Sequence, residues 1–308
     1  MIRKPSRKFF LIVLAVALLL PLTALAAPAP LVTDGTFDTT AAFQNLPFDQ
    51  NNPATQNIWL ADPANWIIDP LKFASHTGGT LDTGTDLLIQ GFPFPTGTCI
   101  GSGWTVKLSF SYQNAAGTGA VQIAGFNAGG TWNPADGAIT DGTLLTPVTT
   151  NVTPTNPGEW ETYQTSVLLT QDFVALGVGF NLQAVDNVVV EIVAPVSLKI
   201  TPNTLNLKSQ GNWVTAFISN PPSCYTLKDI DPTSVLLTYG QNPGFPPDNV
   251  NTQGHKFMLK FDRQQLITLI NGTTGNLDLT ITGNFTDGTA FAGTTTLHVI
   301  KPGKGPKK

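Results

Sequence analysis

Residues 194–206, APVSLKITPNTLN, divide the chain into two halves of different composition. Before this stretch, residues 27–194 are rich in Thr, Gly and Asn and carry Lys72 and Lys107 against fourteen acidic residues. After it, residues 196–300 hold six basic and six acidic residues, so a second, charge-balanced module begins here. The stretch reads as strand, Pro202-Asn203 turn, strand. Short β-branched and aromatic runs between turn residues recur on both sides of it, and the chain is poor in the Lys and Glu that favour long helices. The expectation is an all-β protein of two sandwiches, 27–194 and 195–300, sizes at which each can bury its own core.

At the amino end, Arg3, Lys4, Arg7 and Lys8 precede an apolar run, 9–20, and then Ala24-Leu25-Ala26-Ala27. That is the make-up of a secretory signal peptide, 1–26, cut after Ala26. The alternative, an uncleaved anchor, asks for roughly 20 apolar residues, and no later run offers a membrane span. Without the four leader cations, twelve basic residues face twenty acidic ones, a net charge near −8. Such a surface repels nucleic acid and anionic lipid. The closing KPGKGPKK, 301–308, reads as a disordered basic tail.

In the first module the strand candidates are 85–90, 105–112, 119–126, 161–169 and 174–180, closed by the alternating run 180–193, FNLQAVDNVVVEIV. LVTDGTFD (31–38), GEWETYQTSVLL (158–169), LGVGF (176–180) and VDNVVV (185–190) together resemble the galactose-binding-like jelly roll of secreted carbohydrate-binding modules. The resemblance implies a glycan or cell-envelope polymer as partner. It also implies a structural Ca²⁺ held by Asp38 and Asp186, with Asp34 as a third candidate. Carboxylates distant in sequence converge on such an ion when first and last strands pair; the alternative is that these acids only make turns.

Five of the six tryptophans lie in this module. Trp59 and Trp66 fall in IWLADPANWIIDP and Trp132 in GGTWNPADG, both loop-like, so these three are the candidate platforms for sugar rings. Trp104 and Trp160 enter strand patterns and are assigned to the core. Glu159 and Glu161 share a face if their segment is a strand, but they sit beside a turn and no catalytic motif surrounds them. The module is therefore expected to bind rather than to catalyse.

The second module continues with strands at 234–239 and 255–261. One helix is expected at 262–270, with Asp262 as N-cap and Gln265 completing a capping-box spacing. Two closing strands follow, joined near Asp287-Gly288. LKITPNTLNLKSQG, IDPTSVLL, MLKFDRQQL and LTITGNFTDGTAFAG are similar to a small Ig-like β-sandwich found near the C-terminus of exported bacterial proteins, a family without a settled biochemical role. Cys99 and Cys224, one per module, either pair across the boundary or remain buried thiols. The whole reads as a secreted or cell-surface protein without catalysis that binds a polymer through its first module. The alternative is a structural or adhesive envelope protein of spacer or self-associating sandwiches.

Overall fold

The computed structural model describes residues 32–301, apart from 33, 39, 41, 78–86, 95–97, 115–118, 147–150 and 210. The expected leader, most of the tail, and the beginning of the 85–90 strand lie outside the described residues. The fold is all-β. Arg263–Leu269 is the single α-helix among the described residues, where no helix is long and apolar enough to cross a membrane.

Alternation decides which side chains go inward. In Thr105–Gln113, TVKLSFSYQ, the apolar Val106, Leu108, Phe110 and Tyr112 are buried while Lys107 and the serines take the other parity. This strand pairs antiparallel with Glu161–Leu168 on one side and Ala184–Pro195 on the other. The opposing sheet is centred on Ala175–Asn181, held between Leu88–Pro93 and Gly119–Trp132. Phe110 and Phe180 meet edge-to-face at 4.9 Å and tie the two layers together. Each fully buried ring of this kind contributes roughly 1.5–3 kcal/mol by leaving water.

Ala184–Pro195 does not stop at the expected boundary. Its end pairs in parallel with Ala290–Ile300, matching Val193 to Ala290 and Pro195 to Ala292, so one sheet runs through both modules. Beyond it come Gly275–Asn284 and Leu236–Tyr239. A third sheet of Ser197–Thr201, Trp213–Ser219, Lys256–Asp262 and Asn249–Gln253 completes the second sandwich. The helix starts as expected: the Asp262 carboxylate accepts from Gln265 N at 2.8 Å, and Leu266 and Ile270 are buried.

Cys99 and Cys224 form a disulfide that adds a second tie between the modules, with Cα atoms 5.7 Å apart across 125 residues of chain. Closing so long a loop stabilises by about 4–5 kcal/mol in the chain-entropy account. Next to it, Tyr225 stacks on Phe285 at 3.9 Å and its hydroxyl bonds Asp287 and Thr289. Burial, together with the Asp287 carboxylate, pushes Tyr225 up to about 12.

Candidate functional site

The three expected platforms are core residues. Trp59, Trp66 and Trp132 are buried, because the segments read as loops are strands. Trp59–Leu60 pairs with Leu88–Pro93, and the Trp59 ring packs against Phe37 and Phe180 while its Nε1 donates to the Asp34 carbonyl at 3.0 Å. Trp66–Ile68 pairs with Ala74–His76, and Trp66 meets His76 edge-on at 5.2 Å. Trp132 ends the strand Gly119–Trp132, which runs six residues past the expected Phe126 and folds back onto Ile139–Leu144. Its ring lies on Gly177 and Gly179: a Cβ at Gly179 would stand 2.5 Å from Trp132 Cη2. The glycines of LGVGF thus make the floor that admits the indole. None of the three presents a ring to a sugar.

Trp104 is buried as expected, but Trp160 is 42% exposed, the reverse of its assignment to the core. It immediately precedes Glu161–Leu168, in which even-numbered residues alternate with half-buried odd ones. Trp160 therefore shares its parity with Thr162, Gln164, Ser166 and Leu168, all exposed. That parity was present in GEWETYQTSVLL; it was masked by the presumption that a tryptophan in a strand is a core residue. The sheet register extends the polar face sideways, placing Thr162 opposite Ser111, Gln164 opposite Ser109 and Ser166 opposite Lys107. Lys107 in turn pairs with Glu191 at 3.1 Å, an exposed bridge worth about 0–1 kcal/mol.

Phe73 meets the Trp160 ring edge-on at 5.1 Å. The chain neighbour of Trp160, Glu161, anchors the preceding loop: the carboxylate accepts from the backbone N–H of Thr155 at 3.0 Å and of Asn156, and from the Tyr112 hydroxyl at 3.0 Å. The Thr155 and Asn156 amides, with Tyr112, hold Glu161 below its ordinary carboxylate range, whereas burial and then Glu161 raise Tyr112. A carboxylate so engaged is a structural anchor.

The three acidic candidates separate into a pair and a turn-maker. Asp34 accepts from Thr40 N at 2.5 Å and Thr40 Oγ1 at 2.6 Å. Asp38 accepts from Thr36 Oγ1 at 2.8 Å, and Asp186 from Asn187 N at 2.7 Å and Nδ2 at 3.0 Å. The segment carrying Asp34 and Asp38 lies against the strand carrying Asp186, because Val188 N donates to the Gly35 carbonyl at 2.9 Å. Burial first, then the negative charge of Asp38, raises Asp186. Were a Ca²⁺ held here, Asp38 and Asp186 would be its acidic arms. Among the described residues no three metal-ligating side chains gather around one point.

No family model matches this chain, and no curated protein matches it. Among solved structures, a CBM4 module aligns over 52% of this chain and 97% of its own at 17% identity, with a TM-score of 0.32. The adhesin domain of Epf from Streptococcus pyogenes aligns over 90% and 99% at 11% identity, TM-score 0.25. The glycoside hydrolase domain of Endo-D from Streptococcus pneumoniae R6 aligns over 78% of this chain and 36% of its own at 12% identity, TM-score 0.21. At these TM-scores, function must be decided from the residues themselves.

Proposed function

We propose that the first sandwich binds a polysaccharide or cell-envelope polymer, without turnover, across the outer face of the sheet containing Glu161–Leu168. The observation that carries this reading is Trp160, an exposed indole at the end of a face of hydroxyl and amide side chains. A flat ring takes the C–H face of a sugar while Thr162, Gln164, Ser109 and Ser111 supply hydrogen bonds. Bound Ca²⁺ between Asp38 and Asp186 would cancel their repulsion and fix the 34–40 segment. The leader-like amino end supports export to the cell surface, and Glu161's structural engagement supports a non-catalytic reading. Affinity electrophoresis through a panel of soluble polysaccharides, with Ca²⁺ and with EDTA, tests it: retardation lost in Trp160→Ala supports it, and unretarded migration in every gel sinks it.

One observation favours self-association as a second reading. Glu161–Leu168 is an edge strand that pairs only with Thr105–Gln113 among the described residues, and ETYQTSVL contains neither Lys nor Pro to block a further strand. Leu168 is exposed at its end. Concentration-dependent mass in light scattering, abolished by Gln164→Pro, would establish it.

A further inference from the structure

We propose that the second sandwich carries a saccharide site of its own, an open cleft of roughly 560 Å³ beside the exposed ring of Trp213. The cleft is lined by Leu207, Lys208, Ser209, Asn212, Asp262 and Gln264. Trp213 heads the strand Trp213–Ser219, where Val214, Ala216 and Ile218 are buried and Trp213, of the opposite parity, is 46% exposed. Its cross-strand partner is Asp262 and its chain neighbour is Asn212, both cleft residues, so register and connectivity place Trp213 next to the cleft.

The side chains suit a hydroxyl-bearing ring. Asn212 and Gln264 each offer a donor and an acceptor, Ser209 and Lys208 donate, and one Asp262 oxygen is left over after Oδ1 accepts from Gln265 N. Arg263, between Asp262 and Gln264 in sequence, is only 3% exposed, and its Nη2 donates to the Asn206 carbonyl, so the guanidinium ties together the two segments that wall the cleft. The site is independent of the Trp160 face, lying on another sheet of the other module.

The test titrates the full chain with cellohexaose, xylohexaose, chitohexaose and hexagalacturonate, reading calorimetry and tryptophan fluorescence. Wild type is compared with Trp213→Ala, Gln264→Ala and Trp160→Ala; Trp213 and Gln264 face solvent, so an unchanged thermal midpoint will show that both variants fold. The expected result is a binding component that Trp213→Ala weakens by about tenfold or more and Gln264→Ala by about threefold or more, and that Trp160→Ala leaves unchanged. Binding lost in Trp160→Ala but untouched by Trp213→Ala overturns the second site and leaves the first standing. Silence with all four probes overturns the second site as well.

Discussion

The two outer faces of the first sandwich are built from strands of similar length, yet one is roofed and the other is bare. On the Ala175–Asn181 side, Phe48, Phe126 and Trp132 form a second apolar cluster over the sheet, admitted by glycines at 91, 177 and 179. On the Glu161–Leu168 side the outward positions are Thr162, Gln164, Ser166 and Leu168, mostly too short or too polar to hold a roof, and Trp160 stands open at their end. A tryptophan here is therefore core or surface according to what lies beneath it. Over glycine it sinks in; beside serine and glutamine it remains at the surface.

The largest effect should come from removing the roof. Trp132→Ala is expected to cost about 3–5 kcal/mol, read as a lower urea midpoint, because it leaves a cavity over two glycines. A loss under about 1 kcal/mol would mean the cluster is not packed as described. Filling the floor should do less: Gly179→Val is expected to cost about 1–3 kcal/mol by pushing the ring off its seat. Trp160→Ala, on the bare face, should cost less, about 0.5–1.5 kcal/mol, the worth of its edge-on contact with Phe73.

Acid should act on two carboxylates of the first sandwich, Glu161 and Asp186, with opposite signs. Glu161 is depressed in the folded state, so its stabilising contribution is present above the unfolded pKa and fades as pH falls through the folded one. NMR should show the Thr155 and Asn156 amides moving with Glu161 at a midpoint below the ordinary glutamate value of about 4.3. Asp186 is raised, so its penalty is full above the folded pKa and disappears as pH falls toward the unfolded one. Asp186→Asn should accordingly leave the calcium-free protein as stable or more stable, and abolish any rise in melting temperature on adding Ca²⁺. A Ca²⁺-induced rise that survives in Asp186→Asn would place the ion elsewhere.

Much of this architecture was legible as pattern. The Asp262 cap and the hairpin around Asp287-Gly288 rest on local chemistry, and each has its structural counterpart. The tryptophans were misread because their fate depends on partners distant in sequence. Trp132 needs Gly177 and Gly179, Trp59 needs Phe180, and no local window contains both members of either set. Trp160 is the instructive exception: its parity with Thr162 and Gln164 was local, and residue type was allowed to outweigh it. The shared sheet was hidden for a similar reason, since Val193 finds Ala290 only across the whole second module.

The most direct test follows the six indole N–H signals by NMR while the protein is titrated with fragments of a polysaccharide that it retains. The account predicts that Trp160 shifts and broadens with saturation while Trp59, Trp66, Trp104 and Trp132 hold still. Movement of Trp59, Trp66 or Trp132 with Trp160 unmoved would contradict it.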